Sequence, residues 1–87
     1  MRHTIEVFSI NNCTYCDSAK RELNKRWRER ISIVEYNISE NSDNKKLLLE
    51  RFSNPPTKLT APQIFIDGKH IGGYEDLMEY FQQTDWN

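Results

Sequence analysis

Two cysteines in 87 residues are too few for the disulfide framework that props up many small secreted domains, and a chain of this length can fold without one. Histidine is equally scarce. His3 and His70 are the only two, and neither is paired at ligand spacing, so the cysteines lack the further donors that a tetrahedral zinc site needs and no metal site is expected. No stretch has the unbroken apolar length of a signal-peptide core or a membrane span, and the expectation is a cytoplasmic protein with no membrane partner. Charge of one sign is also missing. Twelve basic residues face 13 acidic ones for a formal net charge of -1, so nucleic acid is not expected as a partner. With 37% hydrophobic and 29% charged residues the composition is that of a folded chain, not a disordered one. No repeat and no long linker interrupts it, and residues 1–87 read as a single domain.

What the sequence does contain is Cys13-Thr14-Tyr15-Cys16, placed between a strand-like and a helix-like run. Ile5, Val7, Phe8 and Ile10 lead into the pair; Ala19, Leu23 and Trp27 recur behind it at helical spacing. The unpaired N–H groups of a helix's first turn and its macrodipole favour a nearby anion, which lowers the pKa of a thiol placed there. Cys13 is therefore the expected nucleophile. Cys16, one turn further in and more shielded, can attack a mixed disulfide on Cys13, which is the resolving step of thiol–disulfide exchange. Tyr15 offers an aromatic wall beside the sulfurs. Two incidental buried cysteines are the alternative, whereas a purely structural disulfide would close a very short loop and constrain the unfolded chain little.

Alternation and β-branching place a first strand at about Thr4 to Ser9, and a helix follows from near Thr14 to about Glu29. Its outer face, with Lys20, Arg21, Glu22, Lys25, Arg28 and Glu29, reads as solvated surface. Ile31 to Tyr36 is a second strand, parallel to the first through a right-handed crossover. Asn37 to Asn44 reads as polar turn, and Lys45 to Phe52 as a short helix that Asn54-Pro55-Pro56 ends. Gln63-Ile64-Phe65-Ile66 and Lys69-His70-Ile71 flank Asp67-Gly68, a hairpin turn signal. Gly72-Gly73 breaks the last strand, and Glu75 to Gln83 carries Leu77, Met78, Tyr80 and Phe81 at helical spacing. A frayed end is expected at Trp86-Asn87.

The order βαβ-α-ββ-α, an α/β arrangement with a four-stranded mixed sheet flanked by helices and a dithiol after the first strand, resembles the thioredoxin-like fold. Three separated motifs make the resemblance narrower: Cys13-Thr14-Tyr15-Cys16, Thr60-Ala61-Pro62, and Gly72-Gly73-Tyr74-Glu75-Asp76-Leu77. Over nearly its whole length the chain is similar to glutaredoxins. The Trp-Cys-Gly-Pro-Cys motif and longer N-terminal extension usual in thioredoxins proper are missing. The resemblance implies a cis Ala61–Pro62 bond, with the Ala61 backbone turned toward the dithiol and open to pairing with an extended cysteinyl substrate. Alone, Pro62 would read as a trans proline opening an edge strand. The resemblance further implies a glutathione site that includes Tyr15, Thr60, Ala61, Pro62 and Gly73. In it Tyr74 and Glu75 supply backbone N–H groups to the γ-glutamyl carboxylate, and Glu75 or Asp76 the acid for its amino group. Acids at a helix N-terminus also simply complement its dipole.

Several positions depart from the family pattern. Ile10, followed by Asn11 and Asn12, stands where many glutaredoxins carry a lysine for the glycine carboxylate of glutathione. Lys58, where some relatives have arginine, is the candidate to replace part of that contact. Thr14 replaces the usual proline after the first cysteine, and Ala61 the usual valine before the cis proline. The activity implied is that of a monomeric glutathione-dependent oxidoreductase with no bound cofactor, in which glutathione is the reducing co-substrate. Its partners would be disulfide-bonded or glutathionylated proteins, ribonucleotide reductase among the candidates, and Lys20, Arg21, Lys58 and Glu75 are candidate client contacts. The rival readings are a dithiol donor served by thioredoxin reductase and a glutaredoxin dimer holding a [2Fe–2S] cluster. Chain length and the departures from pattern are compatible with a viral or phage origin.

Overall fold

β1 (His3–Ser9) opens the chain and is followed by α1 (Thr14–Trp27), a single 3-10 turn at Arg28–Arg30, and β2 (Ile31–Asn37). α2 (Ser42–Glu50), β3 (Gln63–Ile66), β4 (Lys69–Gly72) and α3 (Tyr74–Gln83) complete the order. This computed structural model describes residues 2–83, and the expectation for Trp86 and Asn87 falls outside them. The strands form one sheet in the order β2-β1-β3-β4. β2 runs parallel to β1 with His3 opposite Ile31, and the other two pairings are antiparallel. The thioredoxin-like topology expected from the sequence is the one observed.

Period-two alternation divides the core between the two faces of this sheet. Ile5, Val7, Ile64 and Ile66 face α1 and α3, where Ala19, Leu23, Trp27 and Leu77 close the larger cluster. Phe8 and Phe65 face the other way and pack with Leu48 of α2, flanked by Tyr36, Ile38, Leu47, Phe52 and Leu59. The α1 stripe is the one the periodicity predicts, extended by one turn to Cys16, which is 1% exposed. Trp27 meets Phe81 edge-on at 4.5 Å between ring centroids, fastening α1 to α3. Among the described residues no helix is long and apolar enough to cross a membrane.

Two expectations need correction. The segment before Lys45 is not all turn. α2 begins at Ser42 because the Asn41 side chain accepts from the Asp43 and Asn44 amides, at 2.9 and 3.3 Å, and so caps orphan donors of the first turn. α2 also ends earlier than Phe52, at Glu50, where the Arg51 and Phe52 amides bond back to Leu48 and Leu49. The 67–68 turn behaves as predicted, with φ of 50° at Asp67 and 85° at Gly68, both positive as a type I′ hairpin requires. Asp67 also ties the hairpin to β1, accepting from the Thr4 amide at 2.9 Å and meeting His3 Nδ1 at 2.6 Å. These two partners, His3 foremost, hold its carboxyl below the ordinary range.

On the α2 side of the sheet, Glu6 projects from β1 among aromatic neighbours. Arg51 meets it with both terminal nitrogens, at 2.5 and 2.7 Å, and the Tyr36 hydroxyl donates to it at 3.3 Å. The guanidinium lies over Phe65 and Phe8, 5.1 and 5.6 Å from their centroids. Glu35, bonded by the Ser9 hydroxyl at 2.7 Å and Lys20 at 2.9 Å, is the second such carboxylate. Arg51 holds the Glu6 carboxyl below its usual 4.5, and Ser9, then Lys20, do the same for Glu35. A carboxylate depressed in the folded state contributes stability that is fully present above its unfolded value and is lost as pH falls through the folded one. Urea unfolding midpoints are thus expected to change little from neutral pH down to about 5 and to fall below about 4.5. Glu6→Gln is expected to flatten that acid limb, and an unchanged limb would show that the ion pair does not carry it.

Candidate functional site

Cys13 sits at the N-cap of α1 with extended backbone (φ −107°, ψ 101°), and its Sγ accepts from the Cys16 amide at 3.0 Å. The two cysteines are joined as a disulfide, with their Cα atoms 5.2 Å apart. Cys13 is partly exposed and Cys16 buried. The same amide and the positive end of the helix dipole are directed at the Cys13 sulfur, a setting that favours an anion there and makes a cysteine reactive. The asymmetry of exposure matches the roles expected of attacking and resolving thiols.

The approach to Cys13 is held by amides that sequence reasoning missed. Asn37 Nδ2 donates to Asn11 Oδ1 at 2.9 Å, while Asn37 Oδ1 accepts from the Ser39 and Glu40 amides at 2.8 and 3.0 Å. The Asn11 amide donates to Ser39 Oγ at 3.1 Å, so the loops after β1 and β2 are laced together. Asn12 adopts φ 55°, a left-handed conformation that asparagine tolerates. Asparagine-rich sequence after a strand signals a turn, but not which turns meet.

A groove of about 290 Å³ adjoins the dithiol, lined by Tyr15, Thr60, Ala61, Pro62, Gly73, Tyr74, Glu75 and Asp76. The fold therefore brings together every residue expected for the glutathione site except Lys58. Lys58 lines an adjoining groove with Phe52, Gln63 and His70, and the two grooves share Thr60, Gly73 and Asp76. The Ala61–Pro62 bond is cis, as the motif implied. Pro62 is fully buried and Thr60 exposed. Across the groove mouth the Tyr15 and Tyr74 rings lie 5.7 Å apart.

The start of α3 forms the opposite wall. Asp76 Oδ2 accepts from the Gly73 amide at 2.9 Å, the reciprocal half of a capping box, so this acid is committed to the helix start. Glu75 is exposed on the same turn. The first intrahelical bond runs from the Leu77 amide to Gly73 O at 3.0 Å. The Tyr74 and Glu75 amides therefore precede the helical ladder, as free donors at the positive end of the dipole where a carboxylate is favoured. A bulge between Ile64 and Phe65 in the β3–β4 register sets Gly72 opposite Ile64 and delivers the glycines to this wall. Of the candidate client contacts, Lys20 is engaged with Glu35 and, at 3.6 Å, with Asp17.

A family model described as glutaredoxin matches residues 5–71. The glutaredoxin of Enterobacteria phage T4 is 40% identical over 78 residues, which are 85% of this chain and 90% of the phage protein. The solution structure of reduced Escherichia coli glutaredoxin superposes with a TM-score of 0.74 at 29% identity, covering 93% of this chain and 95% of that one. A buckwheat glutaredoxin–glutathione complex superposes with a TM-score of 0.65 at 30% identity, covering 93% of this chain and 70% of that one.

Proposed function

The chain belongs to the glutaredoxin family, and from that membership we propose that its thiol–disulfide oxidoreductase activity draws its electrons from glutathione. The observation that carries the reading is the groove beside the dithiol, where the unbonded amides of the α3 N-terminus face the Thr60-Ala61-Pro62 loop. Such a cleft offers a carboxylate site at one end and a backbone strand edge at the other, with Tyr15, which lies between Cys13 and Cys16, as one wall. Glutathione has a γ-glutamyl carboxylate, a peptide backbone and a thiol in that order. That a buckwheat relative was solved as a glutathione complex supports the same ligand.

In the monothiol cycle the Cys13 thiolate attacks the glutathionyl sulfur of a mixed disulfide. A Cys13–glutathione disulfide forms as the client thiolate leaves and takes up a proton. A second glutathione thiolate attacks the glutathionyl sulfur, giving glutathione disulfide and restoring the Cys13 thiolate. In the dithiol cycle Cys13 opens a protein disulfide, Cys16 attacks Cys13 Sγ to release the reduced client, and two glutathiones reduce the resulting Cys13–Cys16 bond. Neither cycle needs a resident metal or prosthetic group. The setting is the reducing cytoplasm and the working form a monomer, with disulfide enzymes such as ribonucleotide reductase among the clients. Purified protein supplied with a glutathione mixed disulfide, glutathione, glutathione reductase and NADPH is expected to oxidise NADPH. Turnover only when thioredoxin reductase replaces the glutathione system would overturn the glutathione assignment and leave the dithiol chemistry standing.

A further inference from the structure

A polar chain where the two grooves meet, of which Gln63 alone is buried, is not used by either cycle. Gln63, the first residue of β3, is 8% exposed on a strand whose other members are apolar. Its Nε2 donates to Thr60 O and to Thr60 Oγ1, both at 3.0 Å, and its Oε1 lies 2.7 Å from His70 Nε2 on β4. Chemistry fixes the direction of every link. A backbone carbonyl only accepts, so the side of the amide facing Thr60 O must be the NH₂ group. The amide oxygen is then left for His70, and because it carries no proton the His70 Nε2 must supply one. Thr60 Oγ1 accepts from Gln63 and so keeps its own proton free to donate into the groove that Thr60 lines. The imidazole is placed by Phe52, edge-on at 5.1 Å, and by Phe65 at 4.9 Å.

We propose that His70 and Gln63 are positioning residues that orient the Thr60 hydroxyl as a hydrogen-bond donor toward an acceptor oxygen of the bound glutathionyl group. The identity of that substrate rests on the glutathione reading above. The device matters more in this chain than in relatives with a lysine before the dithiol, since Ile10 supplies no charge there and the groove next to the thiols is lined by two acids and no base.

His70→Phe keeps a ring between Phe52 and Phe65 and removes the donor, so that Gln63 Oε1 loses its partner and the amide is held from the Thr60 side alone. Its KM for a glutathione mixed disulfide is expected to rise about fivefold with kcat within about twofold, the loss of one oriented hydrogen bond. His70→Gln, which restores an N–H toward Gln63, is expected to recover most of that loss. A KM unchanged in His70→Phe, or raised equally in both variants, would overturn the proposal, because packing alone would then explain His70. Long-range ¹H–¹⁵N correlation spectra of the parent give a second reading that needs no turnover. His70 is expected as the Nε2–H tautomer, and the Nδ1–H tautomer would sink the chain whichever reductant the protein uses. A parent inactive with glutathione but showing the Nε2–H tautomer would refute the substrate, and with it the hydroxyl's assigned acceptor, while leaving the hydrogen-bond chain intact.

Discussion

Cys13→Ser is expected to reduce turnover of both protein disulfides and glutathione mixed disulfides to background, while Cys16→Ser loses only the protein-disulfide reaction. The reason lies in the helix start. Cys13 is the partly exposed thiol whose sulfur receives the Cys16 amide at 3.0 Å, and a serine hydroxyl at that position is not ionised at neutral pH and attacks disulfides poorly. Cys16 is 1% exposed, too enclosed to meet an external disulfide, yet the two Cα atoms are 5.2 Å apart and its sulfur reaches Cys13. It can resolve a mixed disulfide but not initiate one. Glutathione can take over that resolving step for a glutathionylated Cys13, so the monothiol reaction survives the loss of Cys16. Measuring both substrates on both variants tests the division. Glutathione-coupled turnover retained by Cys13→Ser would show that the nucleophile is assigned to the wrong sulfur.

Gly72→Ala is expected to have the largest effect of any change outside the dithiol, lowering stability by about 1–3 kcal/mol and raising KM for glutathione mixed disulfides. Gly72 has φ +123°, a conformation side chains rarely adopt. A Cβ there would also fall 2.9 Å from Asp76 Cβ and closer still to its carboxylate, which must then leave the Gly73 amide. The α3 start would lose its capping contact, and the groove wall that presents the Tyr74 and Glu75 amides would shift. Gly68→Ala is the matched control. Gly68 also has a positive φ, +85°, but nothing lies within 4 Å of its added carbon, so only the backbone strain remains. Urea midpoints and KM values for the two variants separate the effects. Equal losses would mean that the Asp76 contact does not hold the wall.

Relations local in sequence were legible without coordinates. β1, α1 and the 67–68 hairpin follow from residues a few positions apart, because strand alternation, helical spacing and turn stereochemistry are each set by near neighbours. The dithiol at a helix start was readable for the same reason, and its chemistry came with it. The cis proline and the groove residues were accessible only through resemblance to a family, since no local preference brings Thr60-Ala61-Pro62 to Tyr15 and Tyr74. The early start of α2 was missed because an asparagine cap and an asparagine turn look alike until the helix behind them is placed.

Tertiary structure alone decided which polar groups meet. Glu6 and Arg51 are 45 residues apart, and nothing near Glu6 announces that an arginine covers it over two phenylalanines. Asn11 with Asn37, and His70 with Gln63 and Thr60, are joined only once the strands are in register. It also set Lys58 on an adjoining groove that shares only Thr60, Gly73 and Asp76 with the first, and gave Asp76 to the helix cap. The physical reason is the same throughout. An apolar pattern needs only a face to be buried against, which the sequence repeats many times over, whereas a hydrogen bond or ion pair needs one partner at one distance and angle, which only the assembled sheet and helices supply.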